Sequence, residues 1–103
     1  MPWHPVAPAA SIADGDYAQI ELDTRLIAVF NIHGTFYAID DLCTHDGGEL
    51  AGGAIEGDVV ICPRHGARFC LRTGAALTPP AYEPVRTYET RVNDGIVEIH
   101  SDD

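Results

Sequence analysis

An all-β fold is predicted for this chain by three observations. Apolar residues recur with a period of two in several short runs, turn signals rich in Gly and Asp separate those runs, and no stretch carries the period of an amphipathic helix. Set into this β pattern are two short clips of metal-ligand residues, Cys43-Thr44-His45 and Cys62-Pro63-Arg64-His65, where the sequence passes into loops. The expectation is a single domain over residues 1–103, since that length supports one core and not two. Its form would be an antiparallel β-sandwich or barrel with a loop-built metal subdomain at about residues 41–80.

The elements follow in order. Tyr17-Ala18-Gln19-Ile20-Glu21-Leu22 alternates as a half-buried strand does, and Asp14-Gly15 marks a turn ahead of it. Asp23-Thr24 can turn that strand into Arg25-Leu26-Ile27-Ala28-Val29-Phe30-Asn31-Ile32, a β-rich apolar run. His33-Gly34 then signals a tight turn into Thr35-Phe36-Tyr37-Ala38-Ile39, so these two segments should pair as a hairpin. Within the ligand region, Val59-Val60-Ile61 is a short strand delivering Cys62, and Arg68-Phe69-Cys70-Leu71 is another, stopped by Thr73-Gly74. Leu77-Thr78-Pro79-Pro80 cannot be a central strand, because proline lacks the ladder donor, and is read as a stiff surface loop. Val85 to Val92 is expected to be one strand, paired with Ile96-Val97-Glu98-Ile99 through Asn93-Asp94-Gly95, and Ser101-Asp102-Asp103 a frayed acidic tail.

Composition narrows the function. A formal net charge of −10 makes nucleic acid and anionic membranes poor partners and suits a carrier that docks on basic patches of other proteins. The same acidity also serves simple solubility. Three Cys, an odd count with no secretory signal at the start, argue for ligand chemistry over a disulfide framework and place the chain in a reducing cytoplasm. No apolar run approaches the length of a membrane span.

Thiolate and neutral imidazole suit borderline-soft metals, so zinc, copper and an iron–sulfur centre are all open at this point. Zinc accepts two Cys and two His in a tetrahedron, and short clips joined by a modest linker are common there. Two details favour iron and sulfide. Each clip mixes Cys with His, whereas zinc motifs commonly pair like with like. Gly47-Gly48 and Gly52-Gly53 after the first clip, and Gly66 after the second, also leave room for backbone N–H groups to approach inorganic sulfide.

Cys43-Thr44-His45, Cys62-Pro63-Arg64-His65-Gly66-Ala67-Arg68-Phe69 and Thr73-Gly74 resemble a Rieske-type [2Fe–2S] ferredoxin. The likeness extends over nearly the whole chain and is strongest to the ferredoxin component of bacterial aromatic-ring-hydroxylating dioxygenases. It implies one [2Fe–2S] cluster per chain, with Cys43 and Cys62 on the inner iron and His45 and His65 on the outer one. Gly47, Gly48, Arg64, Gly66 and Ala67 would line the cluster. His45, His65, Arg64, Pro79 and Pro80 would form the docking face. The implied partners are a flavin-dependent ferredoxin reductase as donor and a terminal Rieske oxygenase as acceptor, served by a monomeric carrier that is not itself a catalyst. Rieske ligation gives potentials of about −150 to +300 mV, against about −400 mV for four thiolates. Respiratory relatives carry two further Cys, bridged over the cluster, where this chain has Gly48 and Arg64. They also place Ser and Tyr hydroxyls where it has Ala67 and Phe69. The low end of the range is therefore expected. A small Rieske subunit of a nitrite reductase and a structural zinc module are the alternative readings.

The other candidates receive plainer roles. His4, His33 and His100 lie at a terminus, a turn and a strand end and are read as non-ligands. Cys70, beside Phe69, is read as a semi-buried structural thiol. Asp46 is either a partner of the ligand shell or a solvated side chain.

Overall fold

The central hairpin sets the architecture. β3 (Arg25–Ile32) and β4 (Thr35–Asp40) pair antiparallel from Ile27↔Asp40 to Ile32↔Thr35. His33 and Gly34 both take positive φ, 53° and 88°, the primed turn whose twist matches paired strands. β2 (Tyr17–Leu22) lies on the other side of β3 in full register, from Tyr17↔Phe30 to Leu22↔Arg25. The computed structural model describes residues 3–22, 24–44 and 47–101, so Asp23 of the expected turn lies outside the described residues.

Two further sheets cover this hairpin, one on each face. β1 (Trp3–Pro8), β9 (Thr90–Asn93) and β10 (Ile96–His100) form a sheet in the order β1-β10-β9. β5 (Ile55–Glu56), β6 (Val59–Ile61) and β7 (Arg68–Cys70) form the other in sequence order. β8 (Thr87–Tyr88) extends the central sheet to β2-β3-β4-β8. Period-two alternation divides β3 and β4 between the two sides. Ile27, Val29 and Ala38 join Val97 and Ile99 in one core, while Ala28, Phe30, Ile32 and Ile39 join Val60, Phe69, Cys43 and Cys62 in the other. A strand buried on both faces needs apolar residues at consecutive positions, which is why β3 reads as a run and not as an alternation. Among the described residues, no helix is long and apolar enough to cross a membrane.

Four expectations need correction. β1 is not among the strands expected from the sequence, and it forms although Pro5 and Pro8 lack the ladder donor. It runs at the edge of its sheet with a bulge between Pro5 and Ala7, where missing N–H groups are tolerated. The stretch from Val85 to Val92 is not one strand. Tyr88 and Thr87 pair with Ala38 and Ile39 of β4, whereas Thr90 to Val92 pair with β10, so the chain changes sheets around Glu89. Asn93 belongs to β9 and pairs with Ile96, leaving Asp94 and Gly95, both at positive φ, as a two-residue turn. Ser101 is not frayed but buried; Asp102 and Asp103 lie outside the described residues.

Two glycines separate conformational strain from steric exclusion. Gly34 and Gly74 both sit at positive φ, but a Cβ on Gly34 meets nothing within 4 Å, while one on Gly74 runs into the Val85 carbonyl and the Thr87 methyl. Gly34→Ala should therefore cost only the left-handed strain, about 1–2 kcal/mol. Gly74→Ala should cost about 1–3 kcal/mol more, because backbone must move. Urea midpoints read by far-ultraviolet ellipticity will rank the two, and equal midpoints would contradict the packing described.

Candidate metal centre

Both clips leave the core at the ends of strands and turn in the same way. In the first loop the Gly47 N–H donates to the Cys43 carbonyl at 2.7 Å, and the Cys43 N–H donates to the Gly48 carbonyl at 2.7 Å. In the second, the Gly66 N–H donates to the Cys62 carbonyl at 3.0 Å, and the Cys62 N–H to the Ala67 carbonyl at 2.7 Å. Gly47 and Gly66 occupy equivalent places at φ 78° and 75°, where a side chain would be strained. Their own N–H groups close the turns. Their part is to reverse the chain tightly enough to set each Cys at the head of a loop.

The two thiols are almost fully out of water, Cys43 at 0% exposure and Cys62 at 1%, and both are free. They belong to one core cluster with Leu50, Ala67 and Phe69. His65 is exposed at the tip of the second loop, while His45 and Asp46 lie outside the described residues. Among the described residues, no three His, Cys, Asp or Glu side chains gather as they would around a metal ion. Two buried thiol donors at the heads of matched turns, with an exposed imidazole beside them, fit a group that takes sulfur ligands inward and nitrogen ligands outward.

Side-chain hydrogen bonds centred on Asp41, Thr44 and Arg64 hold the loops in place. Asp41, buried at 4% exposure at the end of β4, accepts hydrogen bonds at Oδ1 from the N–H groups of Leu50 and Ala51, at 2.6 and 2.8 Å. Its Oδ2 accepts one from Gln19 Nε2 at 2.5 Å, and the same Gln19 amide reaches Glu49 at 2.8 Å. Thr44 Oγ1 donates to the Glu83 carbonyl at 2.7 Å, tying the first loop to the segment after Pro79-Pro80. Arg64 Nη2 donates to the Glu49 carbonyl at 3.0 Å, joining the second loop to the first. Sequence reasoning passed over Asp41 and Thr44. The signal for Asp41 was an acidic residue placed where an apolar strand ends and a loop without a ladder begins.

Pro79 is exposed, Pro80 is half-buried, and the peptide between them is cis. Ala81 and Val85, beyond the expected subdomain limit, join the same core cluster as the two thiols. His4 is in β1, His33 is in the hairpin turn beside Asp14, and His100 stacks edge-on against Trp3 in the outer sheet. Cys70 is buried at 7% exposure in β7. Burial pushes its thiol up, but hydrogen bonds from Thr73 and Arg72 outweigh that and leave it below the ordinary range.

A family model described as Rieske [2Fe–2S] domain matches residues 2–89. The chain belongs to this family. Membership implies a [2Fe–2S] cluster, and the donor set at the two turns fits one. This Rieske domain is 41% identical over 93 residues to the 3-phenylpropionate/cinnamic acid dioxygenase ferredoxin subunit of Escherichia coli strain K12, covering 89% of this chain and 87% of that one. Among solved structures it is similar to a chain in the complex of reduced oxygenase and oxidized ferredoxin of carbazole 1,9a-dioxygenase. There the TM-score is 0.91 at 31% identity, over 96% of this chain and 93% of that one. It is also similar to the ferredoxin of carbazole 1,9a-dioxygenase from Nocardioides aromaticivorans IC177, with a TM-score of 0.92 at 27% identity, over 99% and 100% of the two chains.

Asp41 offers a direct check on how the first loop is held. Asp41→Ala leaves the buried Leu50 and Ala51 N–H groups without their acceptor and should lower stability by about 1–3 kcal/mol. Asp41→Asn keeps an oxygen for both and disturbs only the Gln19 contact, so its loss should be the smaller. Comparing the urea midpoints decides, and an alanine variant as stable as the asparagine one would remove Asp41 from this role.

Proposed function

We propose that this chain is the ferredoxin subunit of an aromatic-ring dioxygenase system, a one-electron carrier and not itself a catalyst. The matched pair of Cys-headed turns carries the reading, with support from ferredoxin relatives of dioxygenases along nearly the whole length. Cys43 and Cys62 would hold one iron of the cluster through sulfur, and His45 and His65 the other through nitrogen. When bound, the cluster supplies a one-electron couple between a neutral oxidised and a singly negative reduced state.

The chain's residues divide the work around that couple. Cys43 and Cys62 would present their sulfurs from almost fully buried positions, which confines the charge and protects the sulfur. His65 keeps its imidazole at the surface, the side from which an electron leaves or enters. Ala67 and Phe69, both at 0% exposure, place no hydroxyl beside the cluster, which keeps the potential toward the low end of the Rieske range. A low potential suits a carrier between a flavin reductase and a terminal oxygenase.

The docking face would include His65 and Pro79-Pro80, together with His45, which lies outside the described residues. Tyr82 at 81% exposure and Leu42 at 44% add apolar surface on the two segments that Thr44 joins. Because a carrier must leave one partner before meeting the next, the interface is small and transient, under about 1,200 Å². The chain acts as a monomer in the cytoplasm.

Metal analysis of anaerobically purified protein tests the reading first. About two irons and two acid-labile sulfides per chain, in a red-brown solution, are expected; one zinc and no colour would overturn it. Cys70→Ser should keep the cluster, because that thiol takes hydrogen bonds from Thr73 and Arg72 and is not in the core cluster that holds Cys43 and Cys62. His65→Cys, by replacing a neutral ligand with an anionic one, should lower the potential of any cluster retained. A Cys70→Ser protein without iron beside a fully loaded His65→Ala protein would refute the ligand assignment.

A further inference from the structure

Arg64 lies between Cys62 and His65, yet its guanidinium turns back toward the loops. Nη2 reaches the Glu49 carbonyl of the first loop at 3.0 Å and the Cys62 Sγ of its own loop at 3.4 Å. The guanidinium also occupies the space over Gly48, where an added Cβ would collide with Cζ and both nearby nitrogens. Gly48 does not need its lack of side chain for backbone reasons, since its φ is outside the positive range. Gly at position 48 is therefore explained by the room it leaves for Arg64. These two positions are the ones at which respiratory Rieske proteins were noted to carry bridged cysteines; here a glycine and an arginine meet instead.

We propose that Arg64 is a positioning residue that clamps the two cluster loops together and raises the reduction potential through Cys62. The inference rests on the assignment of Cys62 as a cluster ligand. Its physical basis is charge. A guanidinium stays protonated at any working pH, and a charged donor at a thiolate sulfur stabilises whichever state places more negative charge there. That state is the reduced one. Arg64 thus offsets part of the loss caused by Ala67 and Phe69, which lack hydroxyls. Because the side chain is also open to solvent, the effect is screened by salt and smaller than a buried pair would give. Both contacts come from Nη2, which the rigid guanidinium plane holds in place, whereas a lysine ammonium moves on a flexible stem and would hold them less well.

The test uses the cluster-loaded protein and its reduction potential, measured by redox titration at low and high ionic strength. Arg64→Leu should shift the oxidised-to-reduced ratio at fixed potential roughly fivefold toward oxidised, about 40 mV at about 59 mV per decade for one electron. Arg64→Lys should recover part of that shift. Gly48→Ala should lower the potential in the wild-type background, because its methyl displaces the guanidinium, and should change nothing further when added to Arg64→Leu. Iron release to a chelator should be faster in Arg64→Leu and in Gly48→Ala. A loaded Arg64→Leu protein with unchanged or raised potential overturns the proposal, as does a Gly48→Ala shift of equal size in both backgrounds. If Arg64→Leu does not retain its cluster, Gly48→Ala and Arg64→Lys decide, and unchanged potentials in both would sink the clamp. Wild-type protein without iron or sulfide would instead refute the cluster assignment on which the clamp stands.

Discussion

The two-sided burial of the β3–β4 hairpin is the constraint on which the molecule depends. Ile27, Ala28, Val29 and Phe30 are consecutive and at most 1% exposed, so neither face of this sheet is available to water. Each large side chain so buried contributes about 1.5–3 kcal/mol relative to exposure, and the gain is realised only if both flanking layers are present. One layer is supplied by β1, β9 and β10, and the other by β5, β6, β7 and the Cys-bearing loops. The candidate metal centre is therefore not an appendage to a finished sandwich. Its two thiols are core residues, packed with the side chains of the sheet that supports them.

Loops buried this deeply must satisfy their backbone polar groups without a ladder. The two turns do so by the same closure, Gly N–H to Cys carbonyl and Cys N–H to the carbonyl following the Gly. The first loop needs more, since it is the longer one, and Asp41 supplies it by accepting two backbone N–H groups at one oxygen. Asp41 is itself held through its N–H on the Leu26 carbonyl at 2.8 Å, so the central sheet fixes the loop through a single residue. The Pro79-Pro80 segment is fixed from both ends. Leu77 and Thr78 bond to Arg68 of β7, and the Glu83 carbonyl bonds to Thr44.

Charge is distributed with a consequence for the site. The chain holds few cations against many carboxylates, and several of those cations are paired at the surface: Arg68 with Glu56, Arg72 with Asp58, Arg91 with Glu98. Such exposed pairs contribute little stability, but they leave these arginines less able to act on the cluster. Arg68, although only three residues beyond His65, thus adds little positive charge there. Arg64 reaches a carbonyl of the first loop and the Cys62 sulfur of the second, which brings its charge to the site.

The sequence by itself determined the all-β class, the central hairpin and its turn, and the four candidate donors. These depend on local chemistry: alternation, positive-φ turn residues, and Cys and His spaced within single loops. It also marked β3 as unusually apolar, though not why. What tertiary structure decided is where neighbours come from distant parts of the chain. β1 forms despite Pro5 and Pro8 because β10 offers it an edge, and the segment from Val85 to Val92 divides around Glu89 because two sheets compete for it. Asp41 becomes a loop anchor only when Leu50 and Ala51 fold onto it, and Gly48 acquires its reason only when Arg64 arrives from the other loop. A glycine in sequence reports that a side chain is missing; the fold alone reports what fills the space.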